Sequence, residues 1–281
     1  MVLFTLRLIK LKKISLLLAL LPSLALANIA LDNTPVPGGV AVVEFSTNHA
    51  HPKATYGEIP IYVQKLTGGR YQALIGIPLM AKPGTKYLNV QDFSKRKVYF
   101  EVLPQQYEEQ HITLSGSKKK YVEPDPDHIK RITGERQTLG KARTTYSNKA
   151  LSLGKFKRPV EGITTGSFGL KRFYNNQPRR AHTGVDYAAK LGTPVQAPAA
   201  GQVILIGEFF FNGKTVFIDH GMGLISVYIH LDKILVEQGQ ALKQGDVIGH
   251  IGQTGRATGP HLHWGIYLNQ TAVNPNLFLG E

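Results

Sequence analysis

Along residues 28–114, apolar and polar positions alternate in short runs rich in Val, Tyr and Ile: VAVVEF, IPIYVQKL, YQALIGIPL and KVYFEVL. A period of two puts alternate side chains on opposite faces of an extended strand. Gly38-Gly39, Gly68-Gly69 and Pro83-Gly84 punctuate the runs as turns. The pattern predicts a small all-β domain, a sandwich in form. Residues 115–153 are polar. Within them Ile129, Ile132, Leu139, Ala142 and Tyr146 fall at mostly helical spacing, with Asp125 or Asp127 placed to cap the first turn. Gly134 and Gly140 each weaken such a helix by about 1 kcal/mol relative to Ala, so the segment reads as a packed connector. From 154 to 281 the strand pattern returns in QVILIGEF, KTVFIDH, LISVYIH, DVIGHIG and HLHWGIYL, with glycines between the runs. The expected fold is predominantly all-β: a β domain, a helical connector, and a C-terminal antiparallel β domain.

Residues 1–27 have a different texture. Arg7, Lys10, Lys12 and Lys13 precede a largely apolar run from Ile14 to Leu21, and Ala25-Leu26-Ala27 closes the segment. A basic start, a short apolar centre and a small-x-small end describe a secretory signal peptide cleaved after Ala27. The run, interrupted by Pro22, falls short of the roughly 20 residues a spanning helix needs, which disfavours a membrane anchor. Cleavage leaves 254 residues, enough for two small domains, and lowers the formal charge from +14 to +10, because four basic and no acidic residues depart. The chain has no cysteine, which excludes disulfides and a lipid-modified cysteine anchor. A basic surface suits nucleic acid, an anionic membrane or a cell wall bearing carboxylates, and charge alone does not choose. No nucleic-acid motif accompanies it, and the export signal favours the wall. The densest run, Lys118 to Lys120, reads as solvated linker.

Chemistry concentrates in three short segments: HTGVD at 182–186, YIHL at 228–231 and GPHLHWG at 259–265. In a strand, His261 and His263 point the same way with Cα atoms roughly 6–7 Å apart, so one imidazole can bind a metal while the other sits over the substrate. His182 and Asp186 would lie about 13 Å apart in a straight strand, so the chain must bend between them, and Gly184 permits the bend. Two His, one carboxylate and a position left for water make a catalytic rather than a structural zinc count.

These segments, with GTPVQAPAAGQV, VFIDHGMGLISVY and VEQGQALKQGDVIGHIGQTG, resemble the lysostaphin/LytM-type zinc metallopeptidases that cut the peptide part of bacterial peptidoglycan. The resemblance runs from about Gly166 to Pro275. It implies one zinc ion held by His182, Asp186 and His263, with His230 and His261 as the catalytic histidines, and no position of that core pattern is missing. It further implies a D,D-endopeptidase acting on peptidoglycan. The export signal adds a periplasmic location, with no nucleic acid and no stable membrane insertion after signal cleavage; the oligomeric state stays open, a monomer being favoured. Direct D-Ala–diaminopimelate bridges fit better than glycine bridges, whose lysins often carry an added wall-binding module.

Without an H-E-x-x-H, a histidine must act as general base, and an unperturbed pKa near 6.5 suits it. His261, beside His263, is the better candidate; His230 would donate to the oxyanion or the leaving amine, and the sequence does not fix the division. Asn175 and Asn176 are weaker candidates for substrate contact. His220 reads as structural, His250 and Arg256 as exposed, and His49, His51, His111 and His128 as surface residues without ligand-spaced partners. Residues 28–114, which lack clustered ligands, are assigned control of access to the site. Two other classes compete. A wall-binding activator would have lost ligands. A lipoyl-type carrier would need a lysine at the hairpin tip, where QTGRATG has none.

Overall fold

The structure is a computed structural model that describes residues 29–148 and 154–280, so the signal-peptide reading lies outside the described residues. In the first half, strands Val40–Ser46, Arg70–Gly76 and Tyr62–Lys65 form a three-stranded antiparallel sheet. It faces a four-stranded sheet built on the Gly84–Gln91 and Lys95–Val102 hairpin. Phe45, Tyr71, Ala73, Leu88, Val90 and Val102 fill the space between them. This is the sandwich that alternation predicts, with the Lys95–Val102 strand alternating between exposed and half-buried positions as a one-sided strand should.

The three-stranded sheet has a second covered face. Val40, Tyr62 and Leu74, with Ile29, belong to the same buried cluster as Val185, Trp264, Ile266 and Leu268 of the second half. Gly76 marks the contact: a Cβ there would stand 2.5 Å from the Leu268 carbonyl oxygen, and its N–H donates to Asn269 Oδ1 at 3.2 Å. Only glycine lets the two backbones approach this closely.

The end of the first region and the connector after it are more ordered than their polarity suggests. Strand Glu109–Ile112 pairs in parallel with Lys171–Tyr174 of the second half. Helix Pro126–Arg143 follows, its first turn capped by Asp125, which accepts from the His128 N–H at 2.8 Å. The helix ends before Tyr146, which the sequence spacing had included; Thr144 takes the C-cap. Leu139 and Ala142 pack on Phe217, Ile225 and Val227 of the main sheet, and Glu135 accepts from the Phe210 N–H at 2.8 Å. Ile129 stays exposed, so only the C-terminal half of the apolar stripe is used.

The second half is an eight-stranded antiparallel sheet. Its order runs Ala241–Leu242, Gly201–Phe209, Gly213–Asp219, Leu224–Leu231, His261–Leu268, Val185–Ala188 and Ile163–Gly166, with Thr271–Val273 also paired to His261–Leu268. A smaller sheet of Pro194–Gln196, Val247–His250 and Lys233–Ile234 lies beside it. In the His261–Leu268 strand, Leu262, Trp264 and Ile266 enter the core, leaving His261 and His263 on the other face. Asp186 pairs directly with His263, and Ile229 pairs with His263 from the opposite side. Three neighbouring strands therefore deliver the candidate groups to one place.

Candidate active site

Asp186 and His263 face each other across the sheet, and His182 joins them from the loop before the aspartate strand. His182 Nε2 lies 2.9 Å from Asp186 Oδ1 and 2.8 Å from His263 Nδ1, and His263 Nδ1 lies 2.8 Å from Asp186 Oδ1. All three side chains are buried, and among the described residues they form the one cluster of three potential metal ligands. His182 Nδ1 stands 2.7 Å from the Ser167 carbonyl oxygen. A carbonyl only accepts, so the proton sits on Nδ1, and in the neutral ring Nε2 presents a lone pair to the aspartate oxygen. Two lone pairs facing each other at hydrogen-bond distance need a cation between them. Burial pushes His263 down to about 4, partly offset by its hydrogen bond to Asp186, so the ring is neutral near pH 7. Burial raises Asp186, but the neighbouring rings of His182 and His263 outweigh this and hold the carboxyl well below its usual range. Two imidazoles and a carboxylate fit a divalent metal with an affinity for nitrogen donors.

Gly184 is required here for closeness. A Cβ at Gly184 would meet the Trp264 carbonyl oxygen and stand 2.6 Å from His263 Nε2. Its φ is not in the left-handed region, so the bend that brings His182 to Asp186 rests on space rather than on glycine's dihedral freedom.

His230 reaches the cluster by a different device. Tyr228 pairs with Trp264 on the core face, so simple alternation would send His230 into the core as well. A register shift between Lys214 and Val216 leaves an extra residue on the histidine strand, and His230 adopts φ +66°. Such a bulge re-aims a side chain, and a non-glycine residue held in this conformation stores about 1–3 kcal/mol of strain. The His230 ring centre lies 4.7 Å from that of His261 and 6.4 Å from that of His263. Burial, then the neighbouring charges of His261 and His263, hold His230 well below the ordinary histidine value. Each of the two rings turns Nδ1 to a backbone carbonyl at 2.8 Å, His230 to Thr254 and His261 to Gly259. Each Nδ1 therefore carries the proton, and each Nε2 is an acceptor in the neutral ring.

A cleft of ≈ 200 Å³ opens beside these groups, lined by Asp186, His230 and His261 together with Gln110, Arg172 and Arg256. Arg172 donates to Asp186 Oδ2 at 2.6 Å and, through Nε, to Gln110 Oε1 at 2.9 Å. Gln110 lies on the strand that pairs with Lys171–Tyr174, so the chain before the connector reaches the site. Nothing in the local spacing of Arg172 or Gln110 marks them; the parallel pairing alone brings them together.

Several expectations need correction. Arg256 is not solvent-facing: its guanidinium carbon lies 4.6 Å from the Tyr174 ring centre and 4.8 Å from that of Phe211, at the cleft wall. Asn175 and Asn176 form the two-residue turn between Lys171–Tyr174 and Gln177–Pro178, at φ +48° and +61°. Asn is favoured where φ is positive, and the Asn175 side chain pins Leu114 by accepting at 2.8 Å and donating at 3.0 Å. Neither lines the cleft. His250 is half-buried rather than exposed. His220 is structural, as expected: fully buried, it donates from Nδ1 to the Ala200 carbonyl at 2.7 Å and accepts from Ser226 at 2.7 Å. Among the described residues, His49, His51, His111 and His128 join no ligand cluster.

A histidine-aspartate cluster on an antiparallel sheet, with further histidines at hand, is a candidate metal centre with acid-base groups beside it, and comparison with known proteins supplies the class, a metallopeptidase. The model of peptidase family M23 matches residues 180–275, and that of the M23 N-terminal domain matches residues 33–105. A peptidase M23 crystal structure from Pseudomonas aeruginosa is 40% identical, with a TM-score of 0.74, over 88% of this chain and 96% of that one. Peptidoglycan DD-endopeptidase ShyC of Vibrio cholerae is 45% identical over 96 residues, 34% of this chain and 22% of ShyC. DD-carboxypeptidase/endopeptidase Mpg of Neisseria meningitidis is 46% identical over 96 residues, again 34% of this chain and 22% of Mpg. The match thus spans about a fifth of the length of these curated relatives. The chain belongs to peptidase family M23.

Proposed function

We propose that the protein is a zinc-dependent D,D-endopeptidase of the periplasm that hydrolyses peptide cross-links in peptidoglycan. The observation that carries this reading is the convergence of His182, Asp186 and His263 within hydrogen-bond distance, beside a cleft that His230 and His261 line. The names of ShyC and Mpg support the substrate, and the signal-like segment at 1–27 supports the compartment. His182 Nε2, Asp186 Oδ1 and His263 Nδ1 would hold zinc, which when bound supplies Lewis acidity to polarise a carbonyl and acidify water.

The chain's own groups do the proton work. Both His230 and His261 offer an Nε2 acceptor at rest. His261 is half-buried, whereas His230 is 6 % exposed and held neutral by burial, so His261 is the better placed to accept the proton of the attacking water and bear the resulting charge. The same ring can return that proton to the leaving amine. His230 can donate only after it has itself taken up a proton, which refines the donor role expected for it. Arg172 occupies Asp186 Oδ2 and so leaves Oδ1 for the metal.

The test is digestion of diaminopimelate-type sacculi with zinc-loaded protein, with and without chelator, followed by muropeptide analysis. Cross-linked dimers should fall and monomers rise only with zinc. Glycan stripped of whole stem peptides would indicate an amidase instead, and an unchanged profile would favour the wall-binding activator. Loss of terminal D-alanine would add the carboxypeptidase activity in Mpg's name.

A further inference from the structure

We infer that Arg256 is a carboxylate-binding subsite of the cleft, selecting a substrate that bears an anionic group beside the scissile bond. The inference deepens the peptidoglycan reading and rests on it. Arg256 follows Gly255, which sits at φ +68° with no room for a side chain: a Cβ there would stand 2.6 Å from the Phe211 carbonyl oxygen. The same Phe211 carbonyl accepts from the Arg256 backbone N–H at 2.9 Å, fixing where the side chain starts. Tyr174 and Phe211 then hold the guanidinium by their ring faces. Stacking of this kind uses the flat faces of the group and leaves its N–H edge for a ligand.

That edge has no protein partner. Among the described residues, no carboxylate pairs with the Arg256 guanidinium and no oxygen accepts from it. The one carboxylate lining the cleft, Asp186, is committed through Oδ1 to the two histidines and through Oδ2 to Arg172. Arg172 is likewise spent on Asp186 and Gln110. Burial above all makes the cation at Arg256 less favourable than usual; Tyr174 opposes this, and the charges of Arg172 and Arg179 add smaller effects in the same direction as burial. An anion would relieve all of this. A planar guanidinium with its fork free meets a carboxylate through two parallel hydrogen bonds.

Chemistry selects which carboxylate. In a direct D-Ala–diaminopimelate cross-link, the carbon that bears the scissile nitrogen also bears a carboxylate. A glycine bridge has none at that position. Arg256 lines the same cleft as His230 and His261, so it is placed to hold that group while the histidines act on the adjacent amide.

The test uses zinc-loaded protein and two cross-linked peptides that differ only in that group, free acid in one and carboxamide in the other. Their kcat/KM values are compared. In parallel, calorimetry measures binding of uncleavable analogues with a methylene in place of the scissile carbonyl. The wild type should favour the acid by about tenfold or more in both measurements, as expected for hydrogen bonds to a charged group. Arg256→Gln should bring both ratios near unity, and Arg256→Lys, which keeps the charge but not the stack or fork, should fall between. Zinc content should stay at one per chain in both variants. Equal handling of acid and amide by the wild type, or a preference that survives both substitutions, overturns the subsite. If neither peptide is cut but the binding preference holds, the peptidase reading fails and the subsite stands. If both peptides are cut equally and bound equally, the reverse is true.

Discussion

At the residue scale, the five site residues divide by what their polar atoms face. Removing His182, Asp186 or His263 takes away an atom of the mutually contacting set, so each Ala variant should lose zinc along with activity. His261 and His230 spend Nδ1 on backbone carbonyls and belong to no ligand cluster, so His261→Ala and His230→Ala should keep stoichiometric zinc while activity collapses. Elemental analysis beside a cleavage assay decides it. Zinc retained by His263→Ala but lost from His261→Ala would invert the assignment. His220 carries a different prediction. Its folded value of about 4 lies below the unfolded 6.5, because burial disfavours the charged ring, partly countered by the Ala200 carbonyl and Asp219. The unfolded chain binds the extra proton, so this contribution is whole above pH 6.5 and is lost as pH falls toward 4. Between pH 7.5 and 5 the loss should be about 2 kcal/mol, measured by urea unfolding. His220→Asn should be less stable at pH 7.5 but should lack this part of the acid slope. An unaltered slope would place the proton uptake elsewhere.

At the element scale, two strands act at a distance from the residues they carry. The bulge at His230 turns a side chain that alternation would bury toward His261, and the strain is borne by a residue with a positive φ. The parallel pairing of Glu109–Ile112 with Lys171–Tyr174 sets Gln110 against Arg172, and Arg172 against the outer oxygen of Asp186. Groups that orient a metal ligand typically contribute 10–100-fold to metal affinity. Arg172→Ala should therefore weaken zinc binding by about that range, read by chelator competition, and Gln110→Ala should act in the same direction with a smaller effect. Wild-type zinc affinity in Arg172→Ala would reduce the arginine to a surface contact.

At the scale of the whole molecule, the two halves share a buried cluster. Val40, Tyr62 and Leu74 pack with the core of the second half, and a fully buried side chain of this size contributes about 1.5–3 kcal/mol. A chain beginning near Leu151 loses that cover and also loses Gln110 and Ile112 from the cleft wall. It should melt at a lower temperature and digest sacculi more slowly than the longer chain. A truncated protein that cuts faster would instead support control of access by residues 28–114, the role their lack of ligands suggests.

Much of this was legible in the residue order, and the rest for a physical reason was not. Period-two alternation is a local property, so the sequence alone determined two β regions around a helical connector and the shared face of His261 and His263, while the proposed ligand set of His182, Asp186 and His263 came from motif resemblance. Register between distant strands is set by packing across the fold, and no local window contains it. Tertiary structure therefore decided the bulge that delivers His230, the parallel strand that brings Gln110 to Arg172, and the approach at Gly184 that needs space rather than a left-handed turn. It also turned Arg256, expected in solvent, into a stacked and unpaired cation at the cleft, because the rings that hold it lie 82 and 45 residues earlier in the chain.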